Sequence, residues 1–309
     1  MYQARSASRC SGSGELVVNL RSAAIAGIGR RRDSLTTNYY DSDSARRPLA
    51  SEVSNLWAHR GLIRLIVTRD LTVRYKRSTL GIWWTLLNPL LTTGVMWIVF
   101  GNFFRFEIPG DTPYIVYLLS GILLITYFAQ AVMASGSAIV NSAGILTKVY
   151  VPPEVFSVSA AIAASVNFMI SLAILLVIQL VTGVGIPWTV VLVPIPVLAM
   201  LALTAGLGLL IAAAAVHFFD VLDLTGVAIQ LVSYLTPTFY PISIVPERFQ
   251  WMININPLYS YLTVFRELVY GNAGAEWWMW GYMLLSALVV LVVGVYLFSR
   301  SWRRLVILL

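Results

Sequence analysis

The sequence predicts an all-α polytopic membrane protein with six transmembrane helices and both termini in the cytoplasm. Three observations carry that prediction. The 309 residues are 58% hydrophobic and only 11% charged, with a mean hydropathy of +0.78, whereas a soluble domain is about one quarter charged. Six apolar stretches approach or exceed the ~20 residues that a helix needs to cross a bilayer. They are Trp83–Phe104, Tyr114–Ala134, Val155–Val181, Thr189–Val216, Thr225–Ile244 and Trp278–Ser299, and none contains Asp, Glu, Lys, Arg or His. The cations, finally, are lopsided. Fourteen precede Trp83, Lys148 lies between the second and third stretches, and Arg300, Arg303 and Arg304 follow the last, against Arg105, Arg248 and Arg266 on the other side. Such an excess of Lys and Arg marks the cytoplasmic face.

Residues 1–55 are rich in Ser, Arg, Gly and Asp without sustained apolar patterning; they are expected to form a disordered cytoplasmic tail. Arg21 interrupts their one mildly apolar stretch, so no signal-peptide core is expected. Cys10 is the single cysteine, which leaves no intramolecular disulfide.

Residues 56–82 mix apolar and basic positions. Leu62, Ile63, Ile66, Val67, Leu71 and Val73 share one broad helical face, with Arg64, Thr68 and Thr72 opposite. Leu65 and Asp70 fall on the wrong sides. This predicts an amphipathic helix lying at the membrane interface, or more plainly a basic anchor before the first span. Trp83 and Trp84 then sit at headgroup level, and Arg74, Lys76 and Arg77 face anionic lipid.

Residues 83–309 form the expected transmembrane domain. Pro194 and Pro196 interrupt the start of the fourth span, and Pro237 and Pro241 interrupt the fifth. Membrane helices tolerate such breaks only where neighbours or water satisfy the freed backbone groups. Gly206 and Gly208 fit close helix contact. The apolar piece Leu258–Val269 has twelve residues, about 18 Å as a helix, too short to span. It is expected to be re-entrant or interfacial, starting at Asn256-Pro257.

The chemistry is mostly negative. His59 and His217 are the only histidines, and HFFDVLD (His217–Asp223) reads better as a polar connection than as a metal site. No G-x-x-x-x-G-K-[ST] loop occurs, so ATP is not expected to be hydrolysed through a Walker-type site on this chain. No catalytic, metal or cofactor residue is assigned, and the net charge of +7 is not taken to signify nucleic acid.

Three stretches carry a family resemblance. RDLTVRYKRSTLGIWWTLLNPLL (Arg69–Leu91), NSAGILTKVYVPPEV (Asn141–Val155) and NPLYSYLTVFRELVYG (Asn256–Gly271) resemble the permease subunits of ABC-2-type polysaccharide exporters, which move O-antigen, teichoic acid or cell-wall galactan. The resemblance implies a homodimer in the cytoplasmic membrane, with MgATP bound by a separate nucleotide-binding subunit. It implies a channel for a polyprenyl-pyrophosphate-linked glycan. Residues 56–82 would then be a gate helix whose Arg69, Arg74, Lys76 and Arg77 meet the pyrophosphate; generic attraction to anionic lipid accounts for the same charges. Asn141–Val151 would be a coupling helix docking into the ATPase, starting at Asn141, with Leu146, Val149 and Tyr150 as apolar plug and Lys148 or Glu154 as rim contacts; an ordinary turn is the alternative. Channel-lining aromatics would be Trp97, Phe100, Tyr234, Phe239 and Tyr240, of which Trp97 and Tyr234 lie deepest; aromatics near span ends also serve as interface anchors. The pattern departs at Phe219, where the family places a basic residue before Asp220. The alternatives are an ABC-2 exporter of small hydrophobic molecules and a membrane glycosyltransferase or lipid-modifying enzyme.

Overall fold

The computed structural model describes residues 56–76, 79–104, 112–146, 148, 151–218, 220–271 and 273–308. The expected tail 1–55 and the individual residues Arg77, Val149, Tyr150 and Phe219 lie outside the described residues. Among the described residues there are only helices and connections, as the hydropathy predicts. In chain order they are α1 (Arg60–Lys76), α2 (Trp83–Met96), α3 (Tyr114–Asn141), α4 (Ala143–Leu146), α5 (Glu154–Val181), α6 (Pro194–Ala215), α7 (Asp220–Leu235), α8 (Glu247–Ile255), α9 (Pro257–Tyr270) and α10 (Trp277–Leu308). A π-helical segment, Trp97–Phe104, continues α2, and a 3-10 turn, Trp188–Leu192, leads into α6.

Among the described residues five helices are long and apolar enough to cross a membrane, against six expected: Trp83–Gly101, Tyr114–Asn141, Glu154–Val181, Trp188–Ala215 and Trp277–Ser301. The difference lies in the fifth expected stretch. There α7 begins at Asp220 and stops at Leu235, and its 16 residues rise only about 24 Å. Pro237 and Pro241 supply no backbone N–H, so the ladder cannot run on to Ile244. The second expected stretch errs the other way, since α3 continues to Asn141.

The core is built around α3, which packs on α5 and α6. Leu119, Leu123, Phe128, Phe168, Met200, Tyr261, Phe265 and Met283 interlock there. In lipid the surroundings are as apolar as these side chains, so close packing rather than water exclusion holds the helices together. Helix pair α6–α10 shows the device. A β-carbon on Gly206 would stand 2.6 Å from the Val290 carbonyl oxygen, and one on Gly294 would strike the Gly206 carbonyl. The two backbones approach as closely as two glycines permit. Gly208 serves the α3 contact in the same way, against Ser135.

Helix α9 is the short helix expected before the last span, and the structure buries it in the core. Asn256 caps it, its side chain accepting the Leu258 N–H at 3.1 Å. Pro257 fills the first turn, where no donor is needed. Gly271 ends it at φ +78°, a left-handed conformation that glycine adopts without strain. Its 14 residues reach about 21 Å, and Leu258, Tyr261, Leu262, Val264, Phe265 and Val269 are all buried in the core. Helix α8, by contrast, exposes Trp251 and Ile255.

Candidate functional site

Helix α1 lies against α5 through its apolar face. Ile66 is buried among Ala138, Val155, Phe156 and Ala160, with Leu62 and Ile63 packed alongside. The expected amphipathic face therefore forms, with one exception: Val73 is exposed. Leu65 is exposed too, as its position opposite that face requires. A polar latch fixes the end of the helix. The Tyr75 hydroxyl donates to Asn167 Oδ1 at 2.7 Å and shares a hydrogen bond with Thr85 Oγ1 at 2.7 Å. One side chain thus ties α1 to both α2 and α5.

The expected gate cations differ in their freedom. Arg69 spends Nε and Nη2 on Asp70 Oδ1, at 3.1 and 2.9 Å. Arg74 and Lys76 are exposed and form no ion pair among the described residues, where Arg69–Asp70 is the one salt bridge. Arg77 lies outside those residues.

Arg74 stands at a cavity of about 340 Å³ enclosed by α1, α2, α3 and α5. Its wall carries the carboxamides of Asn88, Gln130 and Asn167, the hydroxyls of Thr85, Thr92, Thr126, Tyr127 and Ser171, and the rings of Trp84 and Phe168. No Asp or Glu lines it. Sequence reading missed these amides because only ionisable residues were sought inside the spans; an Asn or Gln at span depth was the available signal.

Near the start of α3, the break after α7 is held by a buried cation. Arg266 of α9 is 5% exposed. Its Nη1 donates to the Pro237 carbonyl at 3.1 Å, Nη2 to the Tyr117 and Thr238 carbonyls at 3.0 and 3.2 Å, and Nε to Ser120 Oγ at 3.3 Å. The guanidinium also lies over the Tyr117 ring, 3.7 Å from its centre. Tyr117 donates its hydroxyl to the Tyr240 carbonyl at 2.8 Å, and Tyr114 to that of Phe239 at 2.7 Å. The carbonyls that the broken helix leaves behind thus find donors, the condition for an interrupted helix in a membrane. Gly121 makes the room, since a β-carbon there would lie 2.8 Å from Arg266 Nη2. The charge count had treated Arg266 as an ordinary loop cation. Its isolation inside an apolar piece, downstream of Pro237 and Pro241, was the overlooked clue.

The five expected lining aromatics divide. Trp97 and Tyr234 are exposed. Phe100 and Phe239 pair with ring centres 6.2 Å apart, which joins the π-helical end of α2 to the break after α7. Tyr240 directs its hydroxyl to the Tyr234 carbonyl at 3.4 Å. At the expected coupling segment α4 is a single turn. Asn141 and Lys148 are exposed, but Leu146 packs inward, between the cluster of Ile66 and Val155 and that of Ile139, Leu209 and Phe298. Ile145, which sequence reading passed over, is the exposed apolar side chain of the turn. Val149 and Tyr150 lie outside the described residues.

Nothing gathers a metal: among the described residues no three His, Cys, Asp or Glu side chains come together. In HFFDVLD, His217 Nδ1 hydrogen-bonds the Ala213 carbonyl at 3.0 Å, the local bond of a helix end.

These features meet a clear set of similarities. Residues 61–270 match the model of the ABC-2 type transporter, a range that takes in the latched helix, the cavity and the arginine clamp. The chain is 33% identical over 220 residues to the O-antigen export system permease protein RfbA of Myxococcus xanthus, covering 71% of this chain and 84% of that one. A Klebsiella pneumoniae protein of the same name is 27% identical over 79% of this chain and 93% of its own. The capsule polysaccharide export inner-membrane protein CtrC of Neisseria meningitidis is 24% identical over 81% of this chain and 94% of its own. A match over more than half the chain, on a bundle of membrane-crossing helices, places the protein in a membrane and makes it a member of the ABC-2 type transporter family.

Proposed function

We propose that this chain is the channel-forming permease subunit of an ATP-driven exporter, and that its cargo is a polysaccharide carried on a polyprenyl pyrophosphate. The observation that carries the reading is the 33% identity, over 84% of its length, to a protein named as an O-antigen export permease. The chemistry is compatible with it. Two cations, Arg74 and Lys76, stand unpaired beside the first span, where guanidinium and ammonium groups suit a pyrophosphate. Exposed Trp97 and Tyr234 offer flat faces to sugar C–H groups, which lets a neutral polymer slide past without tight sites.

In this reading both termini are cytoplasmic, two copies enclose the path, and a separate nucleotide-binding subunit supplies the ATP chemistry. The α4 turn is its contact, made through Asn141, Ile145 and Lys148, with Leu146 holding the turn on the bundle and Val149 and Tyr150 completing the plug. Relaying force through a single turn needs that turn to be rigidly based, and Leu146 packs into two clusters at once.

The test is depletion in the host, followed by mass spectrometry of polyprenyl-linked glycans. Long polymer accumulating on the carrier, with loss of the surface glycan, is the expected result. An unchanged glycan pool, with new sensitivity to a small hydrophobic compound, would replace this cargo by a drug-like one. Short unfinished intermediates would point to an enzyme.

A further inference from the structure

We infer that the recess where α6 ends beside α10, lined by His217, Leu297, Arg300 and Ser301, binds one anionic phospholipid, its phosphate between Arg300 and His217 and its chains along the exposed face of α10. None of these residues belongs to the cavity at Arg74, and the inference does not rest on the cargo proposed above.

Two parallel helices build the recess. Gly206 meets Gly294, and further on Leu209 and Ala212 meet Phe298, so α6 and α10 stay joined as far as Phe298. Beyond it α6 stops at Ala215 while α10 runs on to Leu308. Their parting leaves a space of about 290 Å³. It lies at the membrane edge. The apolar span within α10 covers 25 residues, Trp277–Ser301, about 37 Å of helix against ~30 Å of hydrocarbon. Arg300 therefore stands at headgroup level. Half-exposed Tyr296 is one turn before it, at the depth that tyrosine favours.

The lining selects an anion. It carries two basic side chains and no Asp or Glu; Asp220 and Asp223, the nearest acids in sequence, lie outside it. Arg300 forms no ion pair among the described residues. Its hydrogen bond from Nη1 to the Tyr296 hydroxyl is long, at 3.4 Å, which leaves the guanidinium fork for two phosphate oxygens. His217 is oriented for the same ligand. The Ala213 carbonyl can only accept, so Nδ1 carries the proton of their 3.0 Å bond and Nε2 is the nitrogen left over. An anion beside the ring favours the imidazolium, which donates from Nε2. The last carbonyls of α6 do not confront the ligand, because Ala214 already accepts the His217 and Phe218 N–H groups at 3.0 Å. What lies below the cations separates a lipid from a soluble phosphate. Leu288, Val292, Tyr296 and Arg300 are exposed and spaced by four, so one stripe of α10 runs from apolar to cationic. Exposed Val293 and Leu297 run beside it. Hydrocarbon covers such a face in a membrane. A phosphate that carries acyl chains fits both halves of the stripe, whereas a soluble one fits only the cationic half.

The test uses the full chain with its ATPase partner, in nanodiscs of phosphatidylcholine with a minority of phosphatidylglycerol. Native mass spectrometry counts the lipids that the protein retains on release. One phosphatidylglycerol per chain should be held, enriched about tenfold over its share of the disc, the worth of one charge-assisted hydrogen bond. Arg300→Gln should cut the enrichment to about twofold or less, and His217→Gln to about threefold. Arg300→Lys should keep part of it, because a point charge still attracts phosphate. Arg64→Gln removes the same charge from an exposed position on α1 and should leave retention at the parent level. Glycerophosphoglycerol, the same headgroup without chains, should not displace the lipid at equal concentration. If it does, the ligand is a soluble phosphate compound and the lipid assignment falls. No enrichment in the parent protein overturns the site altogether. So does an equal loss in Arg64→Gln and Arg300→Gln, since retention would then report net charge and not this recess.

Discussion

Arg266 and Arg74 belong to one helical bundle and are treated in opposite ways. Arg266 meets α3 near its start, is buried, and gives four hydrogen bonds to three carbonyls and a hydroxyl. Arg74 stands exposed at the rim of a polar cavity, with no ion pair among the described residues. The surroundings explain the contrast. A buried guanidinium without a carboxylate persists only if its N–H groups are spent, and the proline break supplies the carbonyls to spend them on. A cation at a rim keeps its hydration and costs nothing to leave free. The bundle is therefore locked around Arg266 and left receptive around Arg74.

The largest expected effect is at the locked end. Arg266→Met keeps the bulk but removes four hydrogen bonds and strands the Thr238 carbonyl; the Pro237 carbonyl keeps the Tyr117 hydroxyl at 3.2 Å and the Tyr117 carbonyl keeps Ser120 Oγ at 2.8 Å. The stranded carbonyl costs about 1–3 kcal/mol and each of the other lost hydrogen bonds about 1 kcal/mol, so the loss should be ~3 kcal/mol or more, read as a collapse of folded protein in detergent by size-exclusion fluorescence. Arg266→Lys, with one nitrogen in place of three, should fall between. A Met variant that melts like the parent would mean that water already serves those carbonyls, and the contrast between the two ends would dissolve.

Next comes the backbone contact of α6 with α10. Gly206→Val puts its β-carbon against Val290 O and Leu291 Cα, at 2.6 and 2.7 Å. Both are backbone atoms that cannot rotate away, so the helices must separate, at about 1–3 kcal/mol. Gly94→Ala is the control, because nothing lies within 4 Å of its β-position; there alanine should stabilise by a few tenths of a kcal/mol to about 1 through helix propensity. The difference between the two melting temperatures is the measurement.

How much of this was legible beforehand follows from what each signal measures. Hydropathy records burial in lipid, so the apolar stretches, the short α9 and its Asn256–Pro257 start were readable from composition and capping chemistry alone. The end of α7 was not, because a window average passes over Pro237 and Pro241 whereas the backbone cannot. The role of Arg266 depended on carbonyls nearly 30 and 150 residues away, at Thr238 and Tyr117, a relation that no local pattern records. Leu146 was misjudged for a similar reason: an apolar residue in a connection looks free until tertiary packing claims it, and its neighbour Ile145 is left exposed instead. The amides of the cavity were visible in the sequence, but only their arrangement around one space gives them meaning.

A smaller effect belongs to the latch. Tyr75→Phe removes two hydrogen bonds, each worth on average ~0.6 kcal/mol within a membrane bundle. Global melting should shift by only a degree or two, roughly what a loss of ~1 kcal/mol allows for a chain of this size. The change should appear locally, as faster hydrogen exchange across Arg60–Lys76 with α3 and α9 unchanged. Uniformly faster exchange would mean that α1 is integral to the bundle rather than latched onto it.

The smallest effect on stability, and the one that sharpens the contrast most, is Arg74→Gln. The side chain is exposed and forms no salt bridge, so its loss should cost no more than about 0.5 kcal/mol. Function should respond differently. If the unpaired guanidinium meets the phosphate of the cargo, export of surface glycan should fall several-fold at unchanged permease abundance. Arg74→Lys should restore part of it, because a point charge attracts phosphate without the two-pronged fit. Arg69→Gln supplies the matched comparison. Its charge is already engaged by Asp70 at 2.9 Å, so removing it should change export less than removing Arg74 does. Equal losses at the two positions would show that only the summed charge of α1 matters, as for a helix resting on anionic lipid, and that Arg74 is no more receptive than its neighbour.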